Sequence, residues 1–223
     1  MLTVEKKNGV ARVTLNRPVV RNAFDEVLIQ KLREAFVDVG KDSGIRVLVL
    51  AGNGPAFCAG ADLNWMKRMA GYGQEENLAD ARSLAEMLAA LDRLPQPTIA
   101  RVHGPAFAGG TGLVAACDMA IGTPQAKFCF SVAKLGLSPA TISPYVLRAI
   151  GERAARRYFL SAEVFDAEEA LRIGMLSVLV PATELDATIE GLLQHLLAGG
   201  PQAHAKIKNL IRAVAGRPID EAL

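Results

Sequence analysis

Thr98-Ile99-Ala100-Arg101-Val102 runs directly into His103-Gly104-Pro105-Ala106-Phe107-Ala108-Gly109-Gly110-Thr111-Gly112 and then Leu113 to Cys117, and this stretch decides the architecture. The first five residues read as a short strand covered on both faces, where solvent-facing polar alternation is not needed. The loop after them uses small residues wherever the main chain must turn, which lets another backbone or a ligand approach closely. The same form occurs earlier. Arg46 to Ala51 (RVLVLA) is a nearly continuous apolar run, and it leads into a glycine-rich loop, Gly52 to Gly60, that continues through Ala61-Asp62-Leu63.

Working outward, Leu2 to Lys6 and Val10 to Leu15 form a hairpin around Asn8-Gly9, a pair suited to the positive φ angles of a two-residue turn. Leu28, Leu32, Ala35, Phe36 and Val39 recur at helical spacing, with Asn22 expected to cap the start and Gly40 to end it. Leu84, Met87, Leu88, Leu91 and Leu94 predict a helix that stops before Pro95 and Pro97. Asp118 to Ile121, Phe128 to Phe130 and Ser177 to Val180 are further strands. Helices are expected around Tyr145 to Ile150, Glu152 to Leu160, Ala167 to Ile173, Leu185 to Leu197 and Ala203 to Val214. Strands alternating with helices, without a linker, predict one α/β domain. No fixed-period repeat is visible. Pro218 followed by Ile219-Asp220-Glu221 reads as the opening of one more helix, so the chain is expected to lack a tail.

Composition narrows the function. At 223 residues with 51% hydrophobic content the chain can bury a substantial core, roughly 70% of its extended surface. A net charge of +2 and 22% charged residues exclude disorder and a polyanion binder, and 5% aromatics offer few stacking platforms for bases, so no nucleic-acid partner is expected. Cys58, Cys117 and Cys129 fit no zinc or redox pair, so neither a metal nor a disulfide framework is expected. The longest apolar stretch, Pro105 to Cys117, is too short to span a bilayer, and the N-terminus carries no signal-peptide pattern. A cytoplasmic protein with no membrane partner and a small-molecule site is the expectation.

Several chemistries fail on their motifs. Gly110-Thr111-Gly112-Leu113-Val114-Ala115 matches a dinucleotide pattern in form, but Asp118 arrives before a full helix and no acid follows at the ribose-binding distance. No glycine precedes Lys-Ser or Lys-Thr, and no Gly-x-Ser-x-Gly elbow exists. His103, His195 and His204 read as structural, His103 by a backbone hydrogen bond. The two small-residue loops remain. They either point two N–H groups at one oxygen, as an oxyanion hole does, or are ordinary turns at strand ends, and spacing leaves both readings open.

Four segments in order, NRPVVRNAF, FCAGADL, HGPAFAGGTGLVAACDMAI and AKFCFSVAKLGLSP, carry a resemblance to the crotonase superfamily, the enoyl-CoA hydratase/isomerase family. The resemblance implies a spiral of repeated ββα units with flanking helices. Residues 1–200 would form its core, and 201–223 the start of an incomplete C-terminal helical region. It implies a homotrimer or hexamer that binds an acyl-CoA, with coenzyme A as part of the substrate and no tightly bound cofactor. The thioester oxygen would be held by the N–H groups of Ala61 and Gly109. Arg21, Ala23, Ala59, Ala61, Asp62 and Leu63 would lie along CoA, Arg21 near a phosphate. Trp65, Phe107, Ser138 and Pro139 would line the acyl pocket, although Trp65 equally suits a subunit contact. Asp62-Leu63-Asn64-Trp65-Met66 is most similar to the branch that hydrates methylglutaconyl-CoA or carboxygeranoyl-CoA.

The sequence departs from that family where protons are moved. The two positions that usually carry glutamate are Gly112 and Val132, neither of which can transfer a proton. A placed acid or base is worth about 10² to 10⁴ in rate. Four explanations compete: another reaction using hydroxyls such as Ser131, Ser138, Thr141 or Tyr145; water held by backbone; a catalytically reduced acyl-CoA-binding or scaffold protein; and an altered sequence at Val132-Ala133.

Overall fold

A computed structural model describes residues 1–217. Its main sheet has the order β1-β2-β3-β4-β6-β9, from Leu2–Lys7, Val10–Leu15, Val47–Gly52, Thr98–Val102, Met119–Gly122 and Val178–Leu179. The β1–β2 pair is antiparallel and every later pair is parallel. Asn8 and Gly9 both have positive φ, as the hairpin turn requires. Side chains alternate between two cores. Val47, Val49, Ile99 and Ile121 face α7 (Leu185–Ala198), whereas Leu48, Leu50, Ala100 and Ala120 join the larger core under the other helices. Burial on both faces is why these strands lack polar alternation.

A second, shorter stack makes the spiral. After β2 comes Phe24, bridged to Ala61, and then α1 (Glu26–Lys41). After β3 comes Cys58, bridged to Ala106, and then α2 (Leu63–Met69) and α3 (Gln74–Asp92). After β4 comes β5 (Ala106–Phe107), paired in parallel with β7 (Lys127–Cys129), and then α4 (Gly109–Ala116). After β6 comes β7, which pairs with β8 (Phe165–Asp166), and the helices α5 (Ser143–Ser161) and α6 (Ala167–Arg172) flank β8 in the chain. Each turn thus supplies one long strand, one short strand or bridge, and a helical segment, which is the expected ββα spiral.

Several local expectations are corrected. The cap of α1 is Asp25, whose carboxylate accepts from Leu28 N, and not Asn22; the helix runs past Gly40 to Lys41. Asn22 is wholly buried and serves the loops instead. Helix α2 was not expected from periodicity, because it is short and only Trp65 on it is buried. The two helices expected around Tyr145 and Glu152 join across Gly151, a non-helical residue with φ 72°. Among the described residues no helix is long and apolar enough to cross a membrane. The expected helix after Pro218 lies outside the described residues.

Helix α8 (Pro201–Val214) is tied to the end of the sheet away from the glycine loops. Lys208, only 8% exposed, donates to Asp118 at 2.6 Å and to Gln96 O at 3.0 Å. The same Asp118 carboxylate accepts from Thr98 N and Oγ1 at 2.8 and 2.9 Å. These bonds make Asp118 a brace between β4, β6 and α8.

Candidate functional site

Parallel strands β3 and β4 end on the same side, and their loops are fastened together by residues from the first turn of the spiral. Asn22 donates from Nδ2 to Asn53 O and Ala56 O, both at 2.9 Å, and its Oδ1 accepts from Arg17 N at 2.8 Å. The Arg17 guanidinium reaches Ala23 O at 2.7 Å, Asp25 at 2.8 Å and Asp62 at 3.4 Å. Phe24 N donates to Gly60 O and Phe24 O accepts from Asp62 N, both at 2.7 Å. The Phe24 ring lies so close to Gly109 that a Cβ there would stand 2.7 Å from Cε2. Between the loops themselves, Cys58 N donates to Pro105 O at 3.1 Å and Phe107 N to Cys58 O at 2.9 Å.

Two donors are left over at this junction. Phe24 bonds the residues on either side of Ala61, so the Ala61 N–H faces away from that pairing. Gly109 is the first residue of α4, where an N–H has no intrahelical acceptor and the helix dipole favours negative charge. Neither N–H finds an acceptor among the described residues. The structure therefore brings the two loops together and leaves an unpaired donor on each.

The other expected site residues divide between this junction and elsewhere. Arg21 is exposed in a left-handed conformation, and its carbonyl accepts from Ala59 N at 3.0 Å. Ala23 is buried and Ala59 half-buried; Leu63 is exposed. The Asp62 carboxylate is already occupied, capping α2 through Asn64 N and Trp65 N while it faces Arg17. Its backbone is occupied as well, the N–H by Phe24 O and the carbonyl by Met66 N, so Asp62 can meet a ligand only by packing against it. Trp65 is 4% exposed, and its Nε1 has no partner among the described residues. Phe107 sits half-buried in β5. Ser138 and Pro139 line a cavity of about 400 Å³ with Leu147, Phe159 and Leu160 of α5, and none of the loop residues line it. A larger cavity of about 760 Å³ lies at the opposite end of the sheet, around Asp92, Asp118 and Lys208.

Gly112 and Val132, the two positions where the resemblance leads one to expect glutamate, differ physically. Gly112 is buried in α4, and the space a side chain would need there is filled: an ideal Cβ would overlap Ile142 Cγ2 and lie 3.0 Å from Ile142 Cβ, with Leu88 behind at 3.8 Å. Val132 lies half-buried in the 3-10 turn Ser131–Leu135, outside the buried core. Of the candidate hydroxyls, Tyr145 lies beneath Arg148 with Asp92 and Arg93 as its charged neighbours, toward the far end of α3.

Other motifs of the sequence take structural roles. The glycines of the dinucleotide-like pattern lie inside α4 and not in a turn before a helix, so they cannot cradle a pyrophosphate as that motif does. His103 Nε2 lies 2.8 Å from Gly54 O, the backbone contact expected of it. Among the described residues no group of three or more His, Cys, Asp or Glu side chains is placed to hold a metal ion.

Cys58 is wholly buried, and burial pushes its thiol up to about 12, far from a nucleophilic thiolate. Burial, then the hydrogen bond to Glu169, likewise raises Tyr158 to about 12. Because both folded values lie above the ordinary 9.0 and 10.0, the unfolded chain releases these protons first as pH rises. Their contribution is complete below about pH 9 and is lost toward pH 12. Thermal melts should therefore show Tm falling steadily above pH 9, with native Cys58 resisting alkylation at neutral pH; a flat Tm across that window would contradict the assignment.

Sequence reasoning did not anticipate the bracing roles of Arg17, Asn22 and Phe24. The signal was the NRPVVRNAF segment, but nothing within it shows which carbonyls it will meet.

Known proteins resemble this chain in sequence and fold. A family model described as enoyl-CoA hydratase/isomerase matches residues 5–222. An enoyl-CoA hydratase of Alternaria alternata is 34% identical over 214 residues, which are 94% of this chain and 68% of that protein. The crystal structure of an enoyl-CoA hydratase from Shewanella pealeana superposes with a TM-score of 0.96 at 42% identity, covering 99% of this chain and 83% of that one. For AtuE of Pseudomonas aeruginosa the TM-score is 0.95 at 36% identity, covering 99% and 86%.

Proposed function

Because this chain belongs to the enoyl-CoA hydratase/isomerase family, we propose that it binds an acyl-CoA thioester and stabilises the derived enolate through the N–H groups of Ala61 and Gly109. The observation that carries this reading is the pair of unpaired donors on two fastened loops. Preformed donors need no reorganisation as charge develops on the thioester oxygen, which is what makes such sites effective. Arg21, exposed beside Ala59, is suited to a CoA phosphate, and the backbones of Ala23, Ala59, Asp62 and Leu63 would follow the cofactor portion of the substrate. Trp65 and Phe107 would bound the acyl group. Hydration of an enoyl-CoA is the reaction we favour, with a methylglutaconyl- or carboxygeranoyl-type acyl group as the finer assignment, in the cytoplasm.

A second reading has its own support. Ile142 occupies the room of one glutamate and Val132 replaces the other. The chain would then be a catalytically reduced acyl-CoA binder. Assembly as a homotrimer or hexamer is supported by the exposed Leu147 and Leu160, which line one cavity on α5 and whose burial would favour association.

The test is a panel of enoyl- and acyl-CoAs, measuring affinity by calorimetry and products by mass spectrometry. Micromolar binding with a hydrated product supports the first reading, and binding without product supports the second. Absence of binding to every member would overturn both.

A further inference from the structure

Ala108 carries backbone strain at the junction of the two loops. Non-glycine residues with positive φ among the described residues include Arg21 and Ala162, whose ψ values of 39° and 31° place them in the left-handed helical well. Ala108 has φ 47° and ψ −115°, well outside it. That corner is suited to glycine, because a Cβ crowds the neighbouring peptide. The residue is held there from both sides. Its N–H donates to Cys129 O at 2.8 Å, and its carbonyl accepts from Gly112 N at 3.2 Å.

The methyl group that causes the strain also touches the other loop. Ala108 Cβ stands 3.2 Å from the position a Cβ on Gly60 would take, so it abuts the Gly60 backbone. Gly60 immediately precedes Ala61, and Ala108 immediately precedes Gly109. The methyl is thus a spacer between the two peptides that lead into the unpaired donors. We propose that Ala108 is a positioning residue: its methyl and its pinned, strained backbone set the separation and direction of the Ala61 and Gly109 N–H groups. This rests on the assignment of those two groups as the thioester-oxygen site.

The test compares butyryl-CoA, which has the thioester carbonyl, with S-butyl-CoA, a thioether that lacks it. Wild-type protein should bind the thioester more tightly. Ala108→Gly, freed of both methyl and strain, should raise Tm by about 2–6 °C while reducing the thioester-over-thioether preference roughly five- to tenfold, with thioether affinity unchanged. Ala108→Ser, which keeps a Cβ, should retain the preference. A purely structural role would move Tm and leave the ratio alone, so a folded Ala108→Gly with full preference overturns the proposal. No preference in the wild type would instead overturn the donor assignment on which it rests.

Discussion

Val132→Glu is expected to raise the hydration rate of a short 2-enoyl-CoA by about 10²- to 10⁴-fold over the parent chain, the usual worth of one placed acid–base group. The position can accept it. Val132 is half-buried in a 3-10 turn and belongs to no part of the buried core, so a carboxylate there keeps contact with water. Gly112→Glu should behave oppositely, with no gain in rate and a loss of stability, because Ile142 already fills the volume beside the helix. The pair of variants separates loss of an acid from loss of the room for one. Stopped assays with crotonyl-CoA read both. If the parent hydrates well and Val132→Glu changes nothing, the missing acid does not limit this protein.

Gly110→Ala should cost about 2–4 kcal/mol of stability, or roughly 5–15 °C in Tm, a large effect for one methyl group. An ideal Cβ on Gly110 would overlap the Cys58 carbonyl oxygen and come within 2.8 Å of Cys58 Cβ. That carbonyl accepts the Phe107 N–H and so helps hold the two loops together. Backbone cannot rotate aside as a side chain can; either the loops separate or α4 shifts. A matched control is Gly191→Ala in α7, where a Cβ meets nothing within 4 Å. Removing a helical glycine there should stabilise by up to about 1 kcal/mol. Equal melting behaviour for the two variants would mean that the close approach at Gly110 carries no strain.

How far the site was legible depends on the range of the forces involved. The loops could be found in the sequence because close backbone approach demands small residues, and Gly60 and Gly110 stand where the facing loop's backbone comes closest, at Phe107 O and Cys58 O. Their connection could not. Arg17, Asn22 and Phe24 act on residues some 30 to 45 positions later in the chain, for instance Asn22 on Asn53 and Ala56, and Arg17 on Asp62. Asn22 looked like a helix cap because a local rule favours asparagine there. Partners elsewhere in the chain decided its role.

The sequence by itself determined the α/β class, the positions of β2, β3 and β4, the hairpin turn at Asn8-Gly9 and the absence of both glutamates, since apolar runs, turn chemistry and residue identity are local properties. The spiral was expected from the family resemblance and is borne out by the tertiary structure, but no repeat in the chain shows it. Its successive turns begin at Val10, Val47, Thr98 and Met119, too unevenly spaced to leave a period in the chain. Only the tertiary structure decided that Ile142, thirty residues beyond Gly112, fills the missing side chain's place. A packed interior leaves few voids, so what stands in an absent group's place is set by whichever distant residue the fold brings against it.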